Sequence, residues 1–419
     1  MADTLTDLRQ RGLVQAISDE ALGRLLQEET VSFYAGYDPS SPSLQLGNLC
    51  AIIMMRRLQL AGHQPVVLMG GATGMIGDPS GRSQERNLLD EDALACNLAS
   101  QQAQLERLLD FGDGPTDAVL VNNHDWLGDF SFLAFLREVG KRFRVGEMLA
   151  KESVKARMAS AEGISFTEFS YQILQAYDFL HLHKRRGVKL QIGGGDQWGN
   201  ITAGIDLIRK VEGAQAFGLV IPLVTDAQGK KFGKSQAGAI YLDAAMTSPY
   251  LMYQYLLNAD DQSVIRYLKY FTFLTLEEIA DLEQNTRAAP EAREAQRVLA
   301  RTVVEMVHGP SGRRTAEQAT AVFFGGPIED LSDQDLAAIF QDVPTVTLPH
   351  SALETGINVI DLLAATPLFK SKGEARRAVQ QKGAYVNNRQ VESIERSLST
   401  HDLATPTALV VRKGKKNYC

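Results

Sequence analysis

The 419-residue chain is 44% hydrophobic and 22% charged with a net charge of −7, an ordinary balance for a globular protein long enough for two or three domains. No apolar run approaches the roughly 20 residues of a membrane-spanning helix, and the acidic start is unlike a secretory signal. Cys50, Cys96 and Cys419 are too few and too scattered for a disulfide framework, so the expected compartment is the cytoplasm. Charge is uneven: residues 367–419 carry 11 Lys+Arg against 4 Asp+Glu, a basic tail that suits a polyanion as well as it suits water.

From Val31 to about Gly218, β-rich runs alternate with helical stretches. Val66–Met69, Ala118–Val121 and Lys189–Ile192 read as buried strands running into polar or glycine-rich turns, with helices over Asn48–Ala61 and Ser165–Leu182. The expectation is an α/β fold: a Rossmann-like parallel-sheet catalytic domain over 1–245, with ligands at the strands' C-terminal ends. Ser248-Pro249 makes a good cap and first turn for a helical domain over 246–323. Residues 324–350, with Gly325, Gly326, Pro327, Pro344 and Pro349, read as a linker. A small α+β module over 351–419 closes the chain.

Four segments carry candidate chemistry. Gly70–Pro79 follows a strand but lacks G-x-G-x-x-G, and Gly233-Lys-Ser235 lacks the upstream glycine of a P-loop. Lys230–Ser235 is either a solvated basic turn or a loop that closes over a triphosphate. Ser165-Phe-Thr-Glu168 is a capping box opening a helix on which Tyr171, Gln175 and Asp178 share one face, with Phe169, Ile173, Tyr177 and Leu180 opposite as the expected core stripe. In Gln191–Asn200, three glycines before Asp196 let backbone approach a ribose, or form only a tight turn. His181 and His183, two apart on a helix, point to different sides, and no metal site is expected.

Taken together and in this order, these segments resemble bacterial tyrosyl-tRNA synthetases, a class I aminoacyl-tRNA synthetase family. The resemblance covers nearly the whole chain through Tyr34–Pro39, Gly70–Pro79, Val121–Asn123, Ile164–Asp178, Gly193–Asn200, Lys231–Ser235 and the Arg412–Tyr418 tail. Lys231-Phe-Gly-Lys-Ser235 is similar to the KMSKS signature, and Gln45-Leu-Gly-Asn48 takes the place of HIGH.

The resemblance implies that Tyr34 and Asp178 bind a substrate phenol and that Asp78, Tyr171 and Gln175 hold its ammonium, with Asn123, Gln191 and Gln197 lining the pocket. It implies that Gly36, Asp38, Gly47, Gly194 and Asp196 hold the nucleotide of ATP. Ser40, Gln45, Asn48, Arg82, Arg86, Lys231, Lys234 and Ser235 would then surround the triphosphate, with Mg2+ arriving on ATP. The implied partners are L-tyrosine, ATP and tRNA(Tyr), in a homodimer away from membranes.

The end module is similar to an RNA-binding module shared with a small-subunit ribosomal protein. Lys370, Lys372, Arg376, Arg377, Arg412, Lys413, Lys415 and Lys416 would therefore meet tRNA phosphates. Three positions depart from the family: Gln45 replaces the first His of HIGH, Gly195 replaces Ser or Ala, and Asp226 replaces a frequent Lys. Gln45 keeps a donor but no charge, so slower phosphate transfer is expected. An adenylating enzyme with a non-tRNA acceptor and a non-catalytic RNA-binding relative remain alternatives.

Overall fold

The computed structural model describes residues 3–80, 89–159, 163–235, 238–328, 331–340, 343–415 and 417–419. Arg82, Arg86, Lys416 and the side chain of Ser235 fall outside this description. The chain forms two compact units: 1–246 with 259–299, and 247–258 with 300–419. Residues of the expected helical segment 246–323 are thus shared between both units.

The first unit is built on a six-stranded sheet of β1 (Ala16–Ile17), β2 (Ser32–Tyr37), β3 (Gln64–Met69), β4 (Val119–Asn122), β5 (Leu190–Gly194) and β6 (Phe217–Ile221), in the order β1-β6-β5-β2-β3-β4. β2 to β6 run parallel, and β1 adds an antiparallel edge on β6. Every residue of β6 and all but the first of β3 are buried, the unbroken apolar pattern of a sheet covered on both faces. The principal helices are α1 (Leu49–Leu60), α2 (Phe166–Arg186) and α3 (Trp198–Glu212).

α2 departs from its expected orientation. Ser165 Oγ accepts from Glu168 N at 3.2 Å, but the Glu168 carboxylate is engaged by Arg157 at 2.7 Å, both side chains being almost wholly buried. Of the expected core stripe Leu180 is buried and Ile173 and Tyr177 pack on the core's edge half-buried, as Phe169 is half-buried, whereas Tyr171, Ala176, Asp178, Phe179 and Leu182 are buried. The polar face points inward because the partners of its polar groups lie at the strand ends. Hydrogen bonds there replace the water such a face would otherwise require.

In the second unit, Ser248 Oγ accepts from Leu251 N at the start of helix Pro249–Leu257, with Pro249 in the first turn. The segment α4 (Glu294–Phe323), which enters this unit at Ala300, breaks at Gly309, where φ is +73°, just before Pro310. The stretch expected as linker contains a helix, Asp333–Ile339, and its Ile328, Ile339 and Phe340 pack in a core with Val322, Val410 and Tyr418. The end module pairs helix Val359–Ala365 and α5 (Lys372–Gln380) with an antiparallel sheet. That sheet contains β7 (Ala384–Val386), β8 (Arg389–Gln390), β9 (Val411–Lys413) and β10 (Asn417–Tyr418), in the order β8-β7-β9-β10.

Candidate active site

β2 and β5 lie side by side although the chain leaves them toward opposite edges of the sheet, and ligands of open parallel sheets bind at such a reversal. Tyr34 and Gln191 are paired in register there, so both side chains project from the same face. They are 1% and 3% exposed, yet among the described residues Tyr34 Oη and Gln191 Oε1 have no hydrogen-bond partner. Orphaned buried polar atoms are costly, and two together mark a place for a polar ligand. Burial, reinforced by the charge of Asp178, holds the Tyr34 phenol well above its ordinary pKa.

Asp178 lies close enough for its charge to act on Tyr34. Its carboxylate accepts from Asn123 Nδ2 at 3.0 Å and Trp126 Nε1 at 2.8 Å. Asn123, fully buried just past β4, also donates to Thr73 Oγ1 at 2.8 Å and accepts from Ala72 N at 2.8 Å. Desolvation outweighs the two donors and pushes the Asp178 carboxyl up to about 7.

A second network lies beyond it. Gln197 Nε2 donates to Asp78 Oδ2 at 2.6 Å, Gln175 Nε2 to Gln197 Oε1 at 3.2 Å, and Asn200 Nδ2 to Gln175 Oε1 at 2.9 Å. Asp78, Gln175 and Gln197 are thus brought together, and the Tyr171 phenol, which also feels the charge of Asp78, donates its hydroxyl to Asp38 Oδ2 at 2.9 Å. Thr73 Oγ1 donates to the other Asp38 oxygen at 2.9 Å. A Cβ on Gly70 would stand 2.1 Å from that oxygen, so glycine is required for Asp38 to sit there.

Gly36 and Asp196 are exposed, and Gly194 is half-buried behind Asp196. A Cβ on Gly195 would meet only the end of the exposed Gln15 side chain, at 2.5 Å, so nothing in the local packing requires glycine there.

The segments bearing Gln45 and Lys231–Lys234 meet through their backbones. Leu46 N donates to Ile240 O and Leu242 N to Leu44 O, both at 2.8 Å, while Ile240 N donates to Gly233 O at 2.8 Å. Gly233, at φ +81°, approaches Gly47 so closely that a Cβ would lie 3.0 Å from Gly47 N. Between the exposed Lys231 and Lys234, Phe232 is buried against Tyr267 and Phe271, with centroids 4.5 and 4.7 Å away. Gln45 is half-buried and its N–H donates to Asn48 Oδ1 at 2.9 Å; Ser40 is exposed. Asp226 accepts from Gln228 N and Lys230 N, which shapes the turn before Lys231.

On the end module, Lys370, Lys372, Arg376, Arg377 and Lys415 are exposed. Arg412 and Lys413 are engaged within the fold. The Arg412 guanidinium lies 3.8 Å from the Tyr385 ring centroid, and Lys413 Nζ donates to Leu368 O and Glu374 Oε1. Thr73, Trp126 and Asn200 were missed in the sequence, although Thr73 and Asn200 lie inside glycine-rich strings already singled out. Trp126 had no signal beyond following Asn123 by three.

A family model for class I tRNA synthetases (W and Y) matches residues 26–325, and one for a tyrosine–tRNA ligase C-terminal domain matches residues 335–419. A tyrosine–tRNA ligase of Roseiflexus castenholzii is 50% identical over 419 residues, covering 100% of this chain and 99% of its own. Tyrosine–tRNA ligase 1 of Bacillus subtilis is 47% identical over 421 residues, with the same coverage. Among solved structures, a C-terminally truncated mitochondrial tyrosyl-tRNA synthetase of Coccidioides posadasii is 33% identical with a TM-score of 0.67, covering 76% of this chain and 92% of that one.

Fold and site together define a class I aminoacyl-tRNA synthetase. Within that class, the chain belongs to the tyrosine–tRNA ligase family.

Proposed function

We propose that the site joins L-tyrosine to ATP, brought in as its magnesium complex, releases pyrophosphate, and passes the tyrosyl group to the 3′ end of tRNA(Tyr). The observation that carries the choice of amino acid is the dry corner formed by Tyr34, Gln191 and Asp178. A substrate phenol there donates to the Asp178 carboxylate and accepts from Tyr34, pairing groups that an apolar ring would leave unsatisfied. Asp78, held by Gln197, faces the ammonium. The tyrosine carboxylate then attacks the α-phosphorus, and pyrophosphate leaves toward Lys231 and Lys234. No covalent intermediate on the protein is needed, so positioning and charge complementarity supply the rate.

Gln45 donates to the transferring phosphate without adding charge. Loss of one transition-state donor costs on the order of 3 kcal/mol, and a retained neutral donor costs less. The exposed cations of the end module meet the tRNA backbone. A second copy of the chain covers the exposed Phe132, Leu133, Leu136, Val145 and Phe166, and sedimentation at micromolar concentration reads that assembly. The kinship with bacterial tyrosine–tRNA ligases supports a cytoplasmic setting. Among the described residues no helix is long and apolar enough to cross a membrane.

The deciding experiment is tyrosine-dependent exchange of pyrophosphate into ATP, run beside Gln45→His. Exchange that needs tyrosine and refuses phenylalanine supports the reading. Tyrosine binding without exchange in either protein overturns it, and exchange without tRNA charging points to another acceptor.

A further inference from the structure

Within the second unit, the basic end module is fastened to the end of α4 by a joint that the adenylation chemistry does not use. Asn387 and Asn388 turn the chain from β7 into β8 with φ of +49° and +61°, a left-handed pair that asparagine tolerates better than most residues. Asn387 serves the module itself, donating to Asp402 O at 2.6 Å and accepting from Val410 N at 2.9 Å. Asn388 reaches away from it: its Nδ2 donates to Val322 O at 2.8 Å and Gly326 O at 2.9 Å.

The Tyr418 hydroxyl lies 3.1 Å from Val322 O, 3.2 Å from Phe323 O and 3.2 Å from Asn388 Oδ1, with one hydrogen to share among them. Its ring meets Phe323 edge-on at 4.8 Å and Phe340 at 5.7 Å. Arg412 rests over both Tyr385 and Tyr418, tying β7 to β10 behind the joint.

These acceptors lie in the last turn of α4 and the glycine pair after it. Gly325 takes φ +93°, and a two-glycine bend without side chains is a natural hinge. Side chains from 62 to 96 positions further along the sequence bridge it. We infer that Asn388 and Tyr418 are positioning residues that fix the angle of the basic module on α4 across the Gly325–Gly326 bend, and with it the register in which its cations meet an RNA backbone. The gain is preorganisation: a fixed mount does not have to be ordered when the nucleic acid arrives. The inference rests on the tRNA-charging reading for its functional consequence, but not for the joint itself.

The test uses the full chain carrying Asn388→Gly, which keeps the left-handed turn, and Tyr418→Phe, which keeps the ring, singly and together. Pyrophosphate exchange, tRNA charging against tRNA concentration, and small-angle scattering of the free protein are measured. In the double variant we expect unchanged exchange, a KM for tRNA raised about five- to tenfold with kcat within about twofold, and a broader distribution of interatomic distances. A double variant with the wild-type KM and scattering curve overturns the inference. If the double variant loses the module's fold on thermal unfolding, Tyr418→Phe alone decides by the same two readings. Failure of the wild-type chain to charge tRNA counts against the charging reading, and the scattering comparison still decides the joint.

Discussion

Acidification is the simplest disturbance of the Asp178 end of the site, where the proposed function seats a substrate phenol. Burial at 1% exposure pushes the Asp178 carboxyl up to about 7 despite the donors from Asn123 and Trp126, and the charge of Asp38 adds to the rise. A phenol hydroxyl donates well to the carboxylate but meets a competing proton on the neutral acid. Tyrosine affinity should therefore be level above pH 7 and fall about tenfold per unit below it. By pH 5 the loss approaches about 2.7 kcal/mol, a hundredfold.

Equilibrium dialysis with labelled tyrosine between pH 5 and 8 reads this directly. Asp178→Asn should bind more weakly at pH 8 and show no such slope. A wild-type affinity constant within twofold across the range would mean that Asp178 stays ionised throughout and would refute the reasoning. The same shift has a definite sign for folding. The folded pKa lies above the unfolded value of about 4, so this group favours the fold most below that pH, and its contribution is lost as the pH rises through 7.

Arg157→Ala leaves the Glu168 carboxylate buried without this partner and should cost about 3–5 kcal/mol in urea unfolding, whereas Arg157→Met with Glu168→Leu should come close to neutral. Gly70→Ala drives a Cβ into Asp38 and Thr73; we expect the KM for ATP in pyrophosphate exchange to rise at least about tenfold, with the thermal midpoint little changed. Gly233→Ala is strained at φ +81° and crowds Gly47. It should lower the rate of adenylate formation about tenfold, with less effect on tyrosine binding, as read by rapid-quench kinetics.

Much of the sheet was legible because Val66–Met69 and Ala118–Val121 are continuous apolar runs that fall on β3 and β4, and such runs need no partner to be recognised; Lys189–Ile192, on β5, was legible despite its polar Gln191. β1 was not: two residues acquire strand geometry only by pairing with β6. Tyr34, Asn123, Asp178 and both loop lysines stood out by resemblance, but the inward turn of α2 did not, since periodicity separates two faces without saying which one meets the core. Arg157 is the sharpest omission. An arginine reads as surface, and its burial follows only once Glu168, 11 residues on, is in place. The resemblance of the end module named Arg412 and Lys413 beside the exposed cations, but it carried no sign that Arg412 stacks on Tyr385 or that Lys413 binds Glu374.

The backbone bonds that knit Leu44–Leu46 to Gly233 and Ile240–Leu242 have a consequence for inheritance. The segment bearing Gln45 and the one bearing Lys231 and Lys234 lie almost two hundred residues apart in the gene, yet they share one ribbon of main chain. Side chains on either can change freely so long as the main chain keeps its course. A change that bends either backbone, such as a side chain added at Gly233, is felt by the other segment.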